Sequence, residues 1–367
     1  MTAHISKTDY DADVATLTLP SHAEHCITVQ SGQNMNRILR GTAKELKASI
    51  LSQFVFAGKQ HYPEFIAETE NANWPVVWLH GDACTDGDMY SMQAVAISGV
   101  KPQPVKLDGR DVGFIYEDEH ARTCRLRGIL PANPKASRAV QTHSAFQIMQ
   151  AALEENGFRF TDTVRTWIYL DRLLDWYGDF NRIRTDFFEE ADIFNHRVPA
   201  STGIGASNPS GAAIMMDVLA VQPKTDLVKI QAVDSPLQNP ALDYKSSFSR
   251  AVELKFPTHR SLLISGTASI DPDGKTVYQD DPEKQIRLTL DVVKALLESR
   301  AMDWGDLFRG IAYFKDMNDL PVYRRVAEEL GIPRFSLAVS HADVCRDDLL
   351  FEIEVDAVKI EGLGARR

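Results

Sequence analysis

The chain is predicted to be an α+β protein of two tandem units, each a mixed sheet with one face covered by two helices, preceded by an N-terminal extension. Three observations predict this. One order of strand, turn, helix, strand, helix and two closing strands occurs twice. Within each copy the apolar spacing switches between period 2 and helical period in the same sequence. With 367 residues, 44% hydrophobic and 25% charged, the chain also has the length and composition of a globular protein with more than one core.

Residues 1–104 contain the strand-like run WPVVWLHG and the helical run KELKASILSQF, but no complete third copy, so they are read as the extension. The first repeat covers 105–222. It opens with ARTCRLRGILPANPKAS, a strand, Gly128 and a Pro-containing turn, and continues into the helix SAFQIMQAALEENGF with Phe146, Met149 and Leu153 on one face. The second repeat, 240–361, opens with RSLLISGTASIDPDGKT around Gly266 and enters a helix with Ile286, Leu290, Val293 and Leu297 at helical spacing. Each copy then supplies a strand and a second amphipathic helix, TDTVRTWIYLDRLLDWYGDFNRIRTDFF in one and GDLFRGIAYFKDMNDLPVYRRVAEEL in the other. A proline follows (Pro199, Pro333), then a strand, a variable loop and the final strand, AAIMMDVLAV or LLFEIEVDAV. Residues 223–239, with their Pro and Asn turn signals, form the linker. The sheet face that the helices leave bare must be covered by a neighbour, so packing between copies and further oligomerisation are both expected.

With 40 basic against 51 acidic residues the formal charge is −11, which disfavours a phosphate backbone as partner in a chain without a basic run. No apolar stretch has the roughly 20 residues that span a bilayer, and the N-terminus has early acids in place of an apolar signal core. A cytoplasmic location is expected. Four scattered cysteines (Cys26, Cys84, Cys124, Cys345) lack CxxC spacing, so neither a disulfide framework nor a zinc site is expected. His22, His25 and Cys26 in SHAEHC have no second cluster to complete a metal site. The glycines of STGIGASNPSG follow no phosphate-binding order, and no GxSxG elbow is present.

A duplicated fold makes each copy a control for the other. Aligning the last strands through Ala220 and Ala357 sets Met215 against Glu352, and aligning the closing turns through the prolines sets Ala200 against Arg334. In FEIEVDAV the period-2 pattern sends Glu352, Glu354 and Asp356 to one face. Glu354 and Asp356 are read as the solvated face of a half-exposed sheet. Glu352, facing a methionine in the sister copy, is read as functional.

These segments carry a resemblance. SGTASIDPDGK, IPRFSLAV and FEIEVDAVKI resemble the RidA/YjgF family, whose members are trimers with clefts between subunits. The two-copy chain with its extension, TVRTWIYLDRLLDWYGDFNRIRTDFF and VPASTGIGASNPSGAA resemble the chorismatases, which remove pyruvate from chorismate. The resemblance covers about 105–361. It implies a cofactor-free, metal-free enzyme acting on chorismate, no nucleic-acid or membrane partner, and a homotrimer. It also implies Glu352 as catalytic acid, Arg334 as carboxylate anchor, and Cys345 in HADVCRDDLLFE as the mark of members that release 3-hydroxybenzoate, with 4-hydroxybenzoate as a further possible product.

Hydrolysis of an enol ether begins with slow protonation of its methylene carbon, so a positioned acid is the main catalytic device. Burial and the charge of Glu354 would keep Glu352 protonated near neutral pH. Two substrate carboxylates ask for two cations, and Arg250 is the further candidate, whereas Arg260 is read as an ordinary surface residue. Tyr244 could hydrogen-bond a carboxylate, and the small residues Gly266 and Ala268 could admit a ring, although Gly266 also suits a bulge. Cys345 could act beside the ring or be an apolar filler. Three rivals stay open at this level: a dihydrodiol-forming chorismatase, a RidA-like enamine or imine deaminase, and a non-catalytic aromatic-acid binder.

Overall fold

The structure, a computed structural model, describes residues 1–8, 12–30, 34–81, 91–244 and 246–361, with the Tyr244 side chain outside that description. Among them, eighteen strands and six α-helices fall into three runs of the same order. Unit I has β1 (Thr2–Lys7), β2 (Asp13–Thr18), β3 (Ala23–Gln30), α1 (Met35–Glu45), β4 (Ser49–Phe56), α2 (Tyr62–Thr69), β5 (Val76–Gly81) and β6 (Ser91–Ser98). Unit II has β7 (Gln103–Leu107), β8 (Arg110–Glu117), β9 (Ala121–Ile129), α3 (Arg138–Glu154), β10 (Thr163–Leu170), α4 (Tyr177–Glu190), β11 (Ala200–Ser207) and β12 (Ile214–Pro223). Unit III has β13 (Lys229–Val233), β14 (Ala251–Lys255), β15 (His259–Ala268), α5 (Pro282–Ser299), β16 (Leu307–Phe314), α6 (Leu320–Glu329), β17 (Ser336–His341) and β18 (Phe351–Ile360).

The strands of unit III lie in the order β13-β14-β15-β18-β16-β17, and the other two units repeat that order. In each, the pair linked through the second helix is parallel (β4 and β5, β10 and β11, β16 and β17), as a crossover connection requires. Residues 1–104 are therefore more than an extension: they build the same strand order as the two repeats. Their pattern is faint because α1 and α2 have 11 and 8 residues, against 17 and 14 in unit II. The linker 223–239 also differs from expectation, since it contributes β13, which pairs with β14.

Each unit buries its helices on one sheet face. Phe146, Met149 and Leu153 of α3 and Ile286, Leu290, Val293 and Leu297 of α5 are all in these cores. Ser137 caps α3 and Asp281 caps α5, each accepting from a backbone amide in the first turn. The opposite sheet faces of the three units, of which I and II share one continuous sheet through β5 and β11, pack against one another in a fourth core, where Phe56, Trp167, Tyr169, Leu263, Ile311 and Tyr313 meet. Phe54 lies 6.4 Å from Tyr169, and Phe56 lies 6.3 Å from Tyr313, centroid to centroid. The bare sheet faces are thus covered within one chain.

That junction overturns the reading of Glu354 and Asp356. Their face of β18 points into the three-unit interior, so Glu354 is fully buried and the Asp356 side chain is only 15% exposed. Among the described residues no helix is long and apolar enough to cross a membrane.

Candidate active site

Strand register puts one position of each unit in the same place. Glu352 of β18 pairs with Tyr313 of β16, Met215 of β12 pairs with Tyr169 of β10, and Ser91 of β6 pairs with Phe56 of β4. The alignment through the closing prolines does not hold in the same way. Arg165 pairs with Ala200 while Arg309 pairs with Ser336, so Ala200 corresponds to Ser336 and not to Arg334. Arg334 is exposed and forms an ion pair with Asp13 of unit I. It stands outside the cavity of Glu352, because the closing turn of unit III faces unit I while Glu352 faces unit II.

Between units II and III lies a cavity of about 330 Å³. Unit III lines it with Arg250, Gly266, Ala268, Cys345, Arg346 and Glu352, and unit II with Tyr177, Asn181, Arg184, Ser201 and Gly203. The register of β15 against β18 shifts between Ile264 and Thr267, so the ladder bulges at Gly266, beside Glu352. A Cβ at Gly266 would overlap Glu352 Oε1, so glycine is the residue that leaves the carboxyl its place. The seam is held by Gly266 N donating to Thr202 Oγ1 (3.1 Å) and Ser201 N donating to Ser265 Oγ (2.9 Å). The Cys345 loop is tied to unit II by Gly205 N donating to Asp343 O (2.7 Å), and to α5 by Gln285, which donates to Asp348 O and accepts from Leu350 N.

The electrostatics of the site come from two neighbouring carboxyls in opposite states. Burial first, then the charge of Glu354, raises Glu352 to about 8. Burial also works against the Glu354 charge, but Arg165 and Arg309 outweigh it and hold Glu354 at about 2. Arg165 Nη2 is 2.9 Å from Glu354 Oε2, Trp167 Nε1 donates to Oε1 at 2.8 Å, and Arg309 pairs with the same carboxylate. Glu352 is therefore a protonated acid at neutral pH, kept so by burial and by an anion that two guanidiniums lock in place. Burial and the nearby Glu352 push the Cys345 thiol up to about 12, so it stays protonated.

Of the residues singled out from sequence, the structure brings Glu352, Cys345, Arg250, Gly266 and Ala268 together and leaves Arg334 outside. The side chain of Tyr244 lies outside the described residues. Arg260 pairs with Glu253 and Glu361, away from the cavity. Sequence reasoning missed Arg346 and the whole unit II wall, including Arg184, which is buried and donates to Asn181 Oδ1 (2.6 Å). It drew every candidate from the second copy, whereas the cleft also has a unit II wall. Arg250 donates from Nε and Nη2 to the Asn239 carbonyl at 3.0 and 2.8 Å, and Arg346 Nη1 donates to Thr276 Oγ1 at 3.4 Å. Glu352 is the one carboxyl among the described lining residues. Three guanidiniums and one neutral acid suit an anionic substrate that is to be protonated. No group of three or more potential metal ligands occurs among the described residues.

The family model described as Endoribonuclease L-PSP matches residues 239–359, essentially unit III. A 3-hydroxybenzoate synthase of Streptomyces hygroscopicus is 27% identical over 242 residues, covering 58% of this chain and 68% of its own length. A RutC family protein of Pyrococcus horikoshii is 32% identical over 99 residues, which are 27% of this chain and 79% of that protein. A chorismatase crystal structure superposes on 93% of this chain and on all of its own, with a TM-score of 0.64 at 20% identity, a likeness of fold.

Proposed function

This chain belongs to the RutC family of RidA-like proteins, and from that premise we propose that it is a chorismatase that converts chorismate to pyruvate and 3-hydroxybenzoate. The observation that carries the reading is Glu352, a buried carboxyl raised to about 8 in a cavity that also holds Arg184, Arg250 and Arg346. Two substrate carboxylates would engage these guanidiniums, which orients the enolpyruvyl ether toward Glu352. Glu352 gives its proton to the terminal methylene carbon, which becomes the methyl group of pyruvate. The cation left on the ether carbon is stabilised by the new carboxylate. A ring hydroxyl then displaces pyruvate internally, its proton restores Glu352, and the ring rearranges to a phenol. No water is consumed on this path, whereas a dihydrodiol product takes up one water.

Cys345 stays a thiol, so its role is to donate a hydrogen bond beside the ring and steer the internal path over attack by water. Both walls of the cleft come from one chain, so the reaction needs no second subunit. The test is pure protein with chorismate, pyruvate followed by coupled lactate dehydrogenase, and chromatography of the aromatic fraction. Pyruvate with 3-hydroxybenzoate is the expected result. Absence of pyruvate removes the reading, and ammonia release from a 2-aminoacrylate source in its place would make the chain a RidA-like deaminase.

A further inference from the structure

A second cavity lies along the same seam between units II and III, with a volume of about 680 Å³ against about 330 Å³ for the one that holds Glu352. Sites for small molecules measure roughly 300–1,000 Å³, so there is room here for a whole ligand. Phe194 and Val198 of unit II and Ile230, Leu242 and Phe248 of unit III form its apolar side. Phe194 and Leu242 are exposed, so this apolar surface is open to an occupant. The polar side is cationic: Arg159, Arg197, Arg250 and the imidazole of His196 line it with two carboxylates, Asp162 and the exposed Asp234.

Most of these charges are already matched. Asp162 accepts from the Arg159 amide at 2.8 Å and from Gln222 Nε2 at 3.4 Å, and pairs with Arg159 Nη2 at 3.5 Å. His196 faces Asp192 at 3.3 Å. Arg197 differs. Its Nη2 makes only long bonds, to the carbonyls of Thr161 and Thr163 at 3.4 and 3.3 Å, and its Nε is buried with no hydrogen-bond partner among the described residues. The hydroxyl of Thr161, which lines the same cavity, is buried without one as well. Burial lowers the Arg197 pKa, and the charge of Asp162 offsets that only in part. A carboxylate would give both donors an acceptor and the guanidinium a counter-charge. We infer that this cavity is a second binding site, for an aromatic carboxylate, with the carboxylate on Arg197 Nε and the Thr161 hydroxyl and the ring against Phe194 and Leu242. Phe248 and Arg250 line both cavities, and the Arg250 guanidinium lies 5.5 Å from the Phe248 ring centroid. The site therefore adjoins the active cavity. Its occupant in turnover would be the aromatic acid formed there, a link that rests on the chorismatase reading.

The test titrates benzoate into the full chain without chorismate and follows the leucine methyl signals by NMR, with those of Leu242 assigned by difference against Leu242→Val. The Leu242 signals should shift saturably in the wild type and keep the same affinity in Arg346→Met, whose change lies in the active cavity. Arg197→Met should weaken binding at least tenfold, and Arg197→Lys should restore it only in part because an ammonium lacks the planar fork. Phe194→Ala, a change at an exposed side chain, should also weaken it and keeps the test open where Arg197→Met fails to give a cooperative thermal transition. Benzamide, which has the ring without the charge, should leave the Leu242 signals in place. No Leu242 shift with benzoate, an equal response to benzamide, or unchanged affinity in folded Arg197→Met overturns the inference. None of these readouts needs turnover, so a chain that does not consume chorismate could still pass, and a chorismatase could still fail.

Discussion

Units II and III end in strands of the same register, yet the equivalent position is Met215 in one and Glu352 in the other. Beside Met215, a Cβ at Gly128 would come within 3.5 Å of Val77 Cγ2 and 4.0 Å of Met215 Sδ, so the seam with unit I is closed by apolar contact. In unit I the position is Ser91, whose hydroxyl donates to Val339 O (2.6 Å) and accepts from Val339 N (3.1 Å), while Thr28 and Ser336 bond at 2.7 Å. That seam is closed by hydrogen bonds. Between units II and III the same position opens on a cavity with an acid in it. The difference teaches that one fold serves as packing surface or as the wall of an acid-bearing cavity according to a single side chain and the space left around it.

The next carboxyl along each strand sharpens the point. Asp217 has Arg127 as its cationic partner, and burial still raises it above its ordinary range. Glu354 has both Arg165 and Arg309, and falls to about 2. One guanidinium does not overcome burial here, and two do. The second guanidinium turns a buried carboxyl into a fixed anion, which can then keep its neighbour protonated.

The largest expected effect comes from removing the acid at the position that sets unit III apart from unit II. Glu352→Gln removes the proton donor and should lower chorismate turnover by roughly 10²–10⁴-fold with an unchanged thermal transition, and a variant that keeps half its rate would refute the assignment. Gly266→Ala should displace the Glu352 carboxyl and cost about a hundredfold in kcat. Its counterpart Gly128→Ala should leave turnover intact and lower stability by about 1–2 kcal/mol, because Gly128 holds φ +63°. Comparing kcat and denaturant midpoints of the two glycine variants separates site from scaffold.

Glu354→Gln should act through pH. Glu352 acts while protonated, so wild-type kcat/KM should hold below about pH 8 and fall above it. Removing the Glu354 anion and freeing Arg165 and Arg309 both favour ionised Glu352, so the falling limb moves to lower pH and the rate at pH 7 drops about tenfold. The same change leaves two buried guanidiniums short of a partner and should destabilise the fold by about 3–5 kcal/mol. The smallest change in rate is expected for Cys345→Ala, which should shift product toward the dihydrodiol on chromatography; an unaltered ratio would reduce Cys345 to packing.

Units II and III were legible in the sequence because α3 and α5 are long, at 17 and 18 residues, and because Ala220 and Ala357 set the last strands in true register. Unit I was not, since its helices have only 11 and 8 residues. The buried state of Glu354 and Asp356 was hidden for a different reason: period-2 alternation distinguishes the two faces of a strand but does not tell whether the polar face meets water or another sheet. The Arg334 expectation failed on chain geometry, because a turn and a strand of one unit can face different neighbours. Arg184 and the rest of the unit II wall became visible only once the units were seen side by side.

The central claim is that burial, and then the charge of Glu354 beside it, keeps Glu352 protonated at neutral pH. Carboxyl-carbon NMR of the glutamate-labelled protein, assigned by difference against Glu352→Gln, tests it most directly. The account expects one glutamate signal to titrate near pH 8 and to move to lower pH in Glu354→Gln. Titration of that signal in the ordinary carboxylate range, unchanged by Glu354→Gln, would contradict it.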